Sequence, residues 1–402
     1  MLCLGNIGGS LITPFFYPTI GPKMTLLLIS FPGCVLSVSL LLLFRTIPSV
    51  WMFYASRFIG GAAMSIMIGT VPPYIMDISS PERRGLLGLL GNMFFRLGTL
   101  LEFSAGALLD WWWISFFMLF LLLPFIVLFP FMPDSPTSLA ARGRTRQAQE
   151  ALQWLGRSDI KTTPGGDRQP PSGGLTKYQQ MLALKEPANL FPFLLCLSFH
   201  SAAQLSGVAP LIFFSVQFFT AAAGSAINPS LSSIVVAAVQ FITVIVCGLT
   251  VSNAPRRRLM LLTQAVITCC LFTIAGYFLL DEYGMADNIK WLPLVVLIIF
   301  FIFFNAGMSS LIWVITPELI PSKIRSFVYP CTILVGGIHF FVVSYMYNYM
   351  FQHLGGCGLF LFYASWSLFY LLVFLFFLPE TKEKLPEQIE KFFLEYKIPF
   401  LK

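Results

Sequence analysis

The chain has 402 residues, of which 57% are hydrophobic, 16% aromatic and only 11% charged, and its mean hydropathy is +0.79. That composition excludes an ordinary water-soluble globule: 42 Phe and long Leu runs leave too little polar surface to cover one core, whereas lipid solvates such a surface directly. The net charge of +7 comes from basic residues in short loops between apolar windows, not from a continuous basic face, which points to membrane orientation and away from nucleic acid.

A membrane-crossing helix needs about 20 mostly apolar residues. Windows of that kind fall at 1–17, 24–44, 52–76, 85–107, 111–131, 191–219, 229–252, 259–280, 291–316, 327–350 and 357–378. The expected class is an all-α membrane protein with eleven spans. The first 22 residues contain no Lys or Arg, so they lack the basic start of a cleavable signal peptide, and Met1 to Tyr17 is expected as a retained span. The loops at 18–24, 77–84, 133–189, 253–258, 317–325 and 379–402 hold 21 of the 25 Lys and Arg. An odd span count with this bias puts the amino terminus outside and the carboxyl terminus in the cytoplasm. The four other basic residues are Arg45 and Lys290, which flank spans on the opposite face, Arg57 near the start of the third span, and Arg96 within the fourth.

Residues 133–189 form the one long polar stretch and divide an amino-terminal bundle, 1–132, from a carboxyl-terminal bundle, 190–378, with a cytoplasmic tail at 379–402. Within this linker, Thr137 to Leu155 reads as a basic amphipathic helix with Leu139, Leu152, Trp154 and Leu155 as apolar contacts. Pro164-Gly165-Gly166 and Pro170-Pro171-Ser172-Gly173-Gly174 then mark loop. The cysteines (Cys3, Cys34, Cys196, Cys247, Cys269, Cys270, Cys331, Cys357) lie mostly in or beside apolar windows without metal or disulfide spacing and read as packing residues.

Three loop signatures recur in the same order about 240 residues apart. Ile20-Gly21-Pro22-Lys23-Met24 answers Ala254-Pro255-Arg256-Arg257-Arg258. The run from Pro72 through Asp77 to Arg84-Gly85 answers the run from Thr316 through Glu318 to Arg325-Ser326. Pro133-Asp134-Ser135-Pro136 answers Pro379-Glu380-Thr381-Lys382. Two repeated bundles joined by a cytoplasmic linker are the architecture in which a solute site lies between the halves near the midplane.

Taken together, Arg57 with Gly60-Gly61, Pro72-x-Tyr74-x-x-Asp77 before Arg84-Gly85, Pro133-Asp134-Ser135-Pro136, Gln204-Leu205-Ser206-Gly207, Pro317-Glu318-Leu319 with Arg325, and Pro379-Glu380-Thr381-Lys382 span the whole chain. In these residues it resembles the sugar porter family of the major facilitator superfamily, which includes facilitative hexose carriers and insect facilitated trehalose transporters. The stretch from Gln204 through Ala223-Gly224-Ser225 to Val236 is most similar to the trehalose-carrier branch. The resemblance implies a multi-pass plasma-membrane protein that moves a sugar, hexose or trehalose, by facilitated diffusion with alternating access.

A polyol needs side-chain amides and hydroxyls in place of water and an aromatic plane against the apolar face of its ring. By the resemblance, Gln204 and Trp313 match sugar-contacting positions, and Asn92 and Gln240 place amides where the family uses amides. Each also reads as a polar residue that satisfies a neighbouring helix. Asp77, Arg84, Arg257, Glu318, Arg325 and Glu380 match charged positions that join the two bundles on the cytoplasmic side in relatives, which implies gating; the plainer reading is that they fix topology. Arg96 and Glu102 stand at membrane depth, where a charge costs about 2.5–3.5 kcal/mol and faces a cavity or a partner. Arg96 falls where sugar porters carry a small apolar cavity-lining residue, so it reads either as a contact to an anionic or polar solute or as a partner of a neighbouring helix. Helix breaks are expected at Pro72-Pro73, at Ser206-Gly207 with Pro210, and at Gly307-Met308-Ser309-Ser310. His200, His339 and His353 show no ligand spacing, and without an evident proton-relay pair uniport is the simpler reading.

The chain also departs from the family. It begins at what corresponds to the second span of relatives. Pro18 to Lys23 lacks the acidic residue and the arginine around the loop glycine, and Asn253 and Pro255 stand where an Arg and a Gly are expected. Ala203 and Ala209 replace a glutamine and an asparagine, Ser310-Leu311-Ile312-Trp313 replaces a Pro-Ile-Pro-Trp run, Asn305 replaces a glutamate, and Gly336-Gly337 replaces an Asn-Trp pair. Each lost amide removes hydrogen bonds worth about 1 kcal/mol net. A carrier of another organic solute and a non-transporting relative therefore stand as alternatives. No nucleophile with a nearby base, metal cluster or phosphate loop is visible, so neither enzymatic chemistry nor a cofactor is implied.

Overall fold

A long apolar run in lipid can satisfy its backbone only within itself, which makes helix the outcome for each window. The computed structural model of the chain describes residues 1–80, 84–156, 182–184, 186–223, 228–250, 255–320 and 324–381. Among them the regular elements are helical, with no strand. In order they are α1 (Leu2–Ile20), α2 (Pro22–Thr25) continuing through a π turn (Leu26–Ser30) into α3 (Phe31–Leu43), α4 (Val50–Ile78), α5 (Arg84–Leu108) and α6 (Trp111–Leu128). The linker adds α7 (Pro136–Ala141) and α8 (Thr145–Trp154). Then follow α9 (Pro187–Leu205), α10 (Val208–Phe213), α11 (Ser215–Ala223), α12 (Pro229–Thr250), α13 (Arg256–Glu282), α14 (Leu292–Phe304), a second π turn (Asn305–Ser309), α15 (Ser310–Leu319) and α16 (Arg325–Phe377).

Among the described residues eight helical stretches are long and apolar enough to cross a membrane, which leaves the count of eleven open. Helix α1 contributes only a short apolar stretch, Leu2–Thr13. Helix α5 carries Arg96 and Glu102. The windows 327–350 and 357–378 both fall on α16, whose backbone leaves helical geometry at Gly355, φ 67°. The Pro72-Pro73 pair does not break α4, which runs through both prolines to Ile78.

The chain divides into two compact units, Met1–Phe94 with Leu108–Gly174, and Phe95–Ala107 with Leu175–Lys402. In the first, α1 packs along α4, α3 also packs on α4, and α6 packs on α3. The α1–α4 contact brings backbone against backbone: a Cβ built on Gly61 would lie 1.9 Å from the Leu2 carbonyl oxygen, and one on Gly5 would lie 2.0 Å from that of Phe58. Lipid tails are as apolar as Leu, so close approach through small residues replaces a hydrophobic drive between helices. The second unit has a large aromatic core, with Phe199, Phe218, Phe300, Phe360 and Phe374 almost fully buried. Here α13 and α9 pack on α16. Gln264 of α13 donates to the Ser367 carbonyl at 3.0 Å and to its hydroxyl at 2.9 Å, a buried polar tie between α13 and α16.

The repeated loop signatures meet inside each unit. In the first, the Lys23 ammonium donates to the carbonyls of Pro130 (2.7 Å) and Met132 (2.6 Å), at the end of α6. In the second, the Arg257 guanidinium donates to the Leu375 carbonyl at 3.0 Å, near the end of α16. A cation at a helix carboxyl end meets unpaired carbonyls and the negative pole of the helix. The Glu380 carboxylate in turn accepts from the backbone N–H groups of Arg256 (3.0 Å) and Arg257 (3.2 Å), where α13 begins. Around the first unit's third signature, Arg142 bonds Asp134 at 3.2 Å and the Ile20 carbonyl at 2.8 Å, Ser135 donates to Asp77 at 2.6 Å, and Tyr74 donates to the Pro133 carbonyl at 2.8 Å.

Of the basic residues outside the six basic loops, Arg45 stacks on Trp112 at 4.0 Å and Lys290 pairs with Asp287 at 2.7 Å. The Lys290 hydrogen bond holds the Asp287 carboxyl below its usual range. The single amphipathic helix expected over 137–155 is two short helices, parted at Gly143, φ 75°. Leu139 and Leu152 are buried, whereas Trp154 is exposed. The Pro-Gly stretches at 164–166 and 170–174 lie outside the described residues.

Gly61→Leu forces α1 and α4 apart, and size-exclusion elution with thermal unfolding in detergent should show loss of the folded monomer. Gly98→Ala, at a helical site where a Cβ meets nothing within 4 Å, should leave both measurements near wild type. Glu380→Ala leaves the first N–H groups of α13 without their carboxylate, an expected loss of about 0.5–2 kcal/mol by the same unfolding measurement, with Glu380→Gln intermediate.

Candidate functional site

Two interruptions of helix shape the polar interior of the second unit. At the first, α9 ends after Gln204-Leu205, and the chain passes through Ser206 and Gly207 into α10. Gly207 has φ 76°, a left-handed conformation, and a Cβ there would sit 2.6 Å from the ring of Tyr363, so glycine is required on both counts. Stopping α9 here leaves Gln204 at its end, half-buried, with its Oε1 buried and without a partner among the described residues. At the second, the expected break at Gly307–Ser310 is a π turn over Asn305–Ser309. The Ser310 hydroxyl takes up the Asn305 carbonyl at 2.7 Å, which satisfies a group freed by the wider turn. The turn packs against the helices that carry Gln204 and Gln240.

Arg96, on the part of α5 that belongs to this unit, is 6% exposed. Its Nη1 donates to Gln240 Oε1 at 2.8 Å, and its Nη2 lies 3.4 Å from the hydroxyl of Ser309 in the π turn. Its Nε has no acceptor, and no carboxylate pairs with it among the described residues. Two of the five substrate candidates, Arg96 and Gln240, are thus in direct contact. Gln240 is 1% exposed and turns its carbonyl oxygen to the guanidinium. Trp313, on α15 just past the π turn, is 42% exposed and stands edge-on to His200, with ring centroids 6.2 Å apart. Asn92 lies half-buried on α5 in the part assigned to the first unit.

The histidine spacing hid one participant. His200 is buried one turn before Gln204 on the same face of α9, with Nδ1 on the Cys196 carbonyl at 3.1 Å and Nε2 without a partner among the described residues. A Cβ at Gly336 would touch its ring at 3.5 Å, so this imidazole packs where the family's Asn-Trp pair has become Gly336-Gly337. The i, i+4 relation to Gln204 was the available signal. Ser309 and Asn305 were flagged only as parts of a break and a departure. Asn305 is fully buried, donating to the Phe301 carbonyl at 2.9 Å while its Oδ1 has no partner among the described residues.

Of the charged candidates, Asp77, Arg257 and Glu380 make the contacts given above within their own units. The side chains of Arg84, Glu318 and Arg325 lie outside the described residues. Glu102 is exposed on α5. A surface recess of about 300 Å³ on the linker, lined among others by Phe131, Asp134, Glu150 and Trp154, contains none of the substrate candidates. Among the described residues no group of His, Cys, Asp and Glu could hold a metal ion.

A family profile described as "Sugar (and other) transporter" matches residues 1–393. Facilitated trehalose transporter Tret1 of Drosophila pseudoobscura pseudoobscura is 30% identical over 407 residues, covering 96% of this chain and 45% of that protein. Tret1 of the midge Polypedilum vanderplanki is also 30% identical, with 96% and 77% covered. The chain thus spans less than half the length of the Drosophila relatives. Among solved structures it is similar to the proton:xylose symporter XylE bound to 6-bromo-6-deoxy-D-glucose, with a TM-score of 0.78 at 18% identity over 98% of this chain and 87% of that one. The inward-open xylose transporter XylE from E. coli gives 0.75 at 18%, covering 97% and 87%. At such identities the likeness concerns the fold, which is that of the major facilitator superfamily. Profile and relatives together show that this multi-pass membrane chain belongs to the Sugar (and other) transporter family.

Proposed function

We propose that the chain carries a sugar, hexose or trehalose, across the membrane by facilitated diffusion with alternating access. The observation that carries this reading is Gln204, whose buried acceptor has no partner among the described residues and sits at a glycine-enforced end of α9. A buried unsatisfied acceptor costs about 1–3 kcal/mol, which a sugar hydroxyl would recover by donating to it. Trp313 supplies the aromatic plane such a ligand needs, and Gln240 supplies a further amide. Its family membership and the names of its trehalose-transporter relatives support the substrate class.

In this reading Asp77, Arg84, Arg257, Glu318, Arg325 and Glu380 bias the equilibrium between carrier states, since a contact made in one state alone shifts its population by its own differential free energy. The eleven spans, the plasma membrane and a cytoplasmic carboxyl terminus complete the proposal, resting on the charge bias of the loops.

Vesicles containing the purified chain should take up labelled glucose or trehalose saturably and to equilibrium, unaffected by collapse of a proton gradient. Gln204→Ala and Trp313→Ala should each lower kcat/KM about fivefold or more, as loss of roughly 1 kcal/mol demands. Flux of neither sugar would contradict the proposal.

A further inference from the structure

The guanidinium of Arg96 has five N–H donors in a planar fork. One donor of Nη1 is used well, on Gln240 at 2.8 Å, and Nη2 makes a long contact of 3.4 Å to Ser309. Nε has no acceptor among the described residues. The under-used donors share one edge of the fork, the Nε–Nη2 edge, and this is an edge onto which a carboxylate docks with two parallel hydrogen bonds. The side chain is more than nine-tenths buried and the described residues offer it no counter-charge. A neutral polyol gives such a site only hydroxyl lone pairs, whereas a carboxylate supplies both acceptors and the missing charge.

Two features make this a built site. Gln240 is itself 1% exposed and holds the guanidinium at Nη1, which fixes the orientation of the Nε–Nη2 edge. The π turn that supplies Ser309 packs against α9, which holds the unpartnered Oε1 of Gln204, an acceptor for a hydroxyl. A cationic fork and a hydroxyl acceptor in one helical unit match a ligand bearing both an acid and alcohols.

We infer that the chain binds a polyol that carries a carboxylate, a sugar acid of the uronate or aldonate type, with the acid on the Nε–Nη2 edge of Arg96 and a hydroxyl on Gln204. This rests on the sugar-carrier reading and narrows its substrate class.

The probe is glucuronate beside glucose, trehalose and chloride, on the full chain and on Arg96→Val, Arg96→Lys and Gln204→Ala. Two readouts are taken: ligand-dependent thermal unfolding in detergent and counterflow in vesicles. Wild type should bind glucuronate at least tenfold more tightly than glucose, about 1.4 kcal/mol. Arg96→Val should remove that preference or reverse it, Arg96→Lys should keep part of it, and Gln204→Ala should weaken glucuronate and glucose alike. Arg96→Val removes the buried charge but strands the Gln240 acceptor, so size-exclusion elution checks that it stays folded, and Arg96→Lys gives the same readouts with the cation kept. An unchanged glucuronate-to-glucose ratio in Arg96→Val overturns the inference, as does stabilisation by chloride equal to that by glucuronate, which would mark a site for any small anion. Glucuronate binding without flux of any solute would uphold the site and contradict the carrier reading. Flux of glucose without a preference for glucuronate would do the reverse.

Discussion

A guanidinium held out of water by one amide and one hydroxyl is the constraint on which the rest of this molecule turns. In a lipid-spanning helix the insertion of an arginine costs about 2.5–3.5 kcal/mol, recovered only through contacts inside the protein. Arg96 finds them on α12 and in the π turn before α15. Both contacts lie within the compact unit that contains Phe95–Ala107. They also set the orientation of Gln240, whose carbonyl oxygen faces the cation and whose amide N–H groups are left for other partners.

The same rule, that polar groups in lipid must be met internally, explains the ends of the bundles. Helix carboxyl ends carry carbonyls without partners, and each unit meets them with a cation from a loop far away in sequence, Lys23 in one and Arg257 in the other. Glu380 does the converse for the amino end of α13. These loop charges thus close the hydrogen-bond account of the helices they join.

Much of this was legible in the sequence because lipid simplifies the code. Apolar length gives helix existence, and each of the eleven windows falls mainly on helical backbone among the described residues, with 191–219 interrupted at Ser206-Gly207. The repeat was visible as loop chemistry, and the structure shows what that chemistry does: signatures matched by position meet in space within each unit. Ser206-Gly207 and Gly307–Ser310 were readable as breaks, since glycine near hydroxyl residues interrupts an otherwise apolar run. Pro72-Pro73 misled, because α4 continues through both prolines. Neighbouring groups can re-satisfy a backbone that proline disrupts within a membrane helix. The Arg96–Gln240 contact was not legible, as the two residues are 144 positions apart and nothing local links them. His200 was passed over for lack of metal spacing, when its significance lies in sharing a helix face with Gln204. Residues 137–155 kept their amphipathic content but split at Gly143, whose left-handed backbone ends α7.

The account stands or falls on whether Arg96 and Gln240 act as one unit inside the folded chain. A double-mutant cycle of Arg96→Val and Gln240→Leu, followed by thermal unfolding of the purified protein in detergent, measures this directly. The predicted result is strong non-additivity: each single change disturbs the pair and the double change is milder than their sum by at least about 1 kcal/mol. Effects that add within about 0.5 kcal/mol would contradict it, because residues that share no contact behave that way.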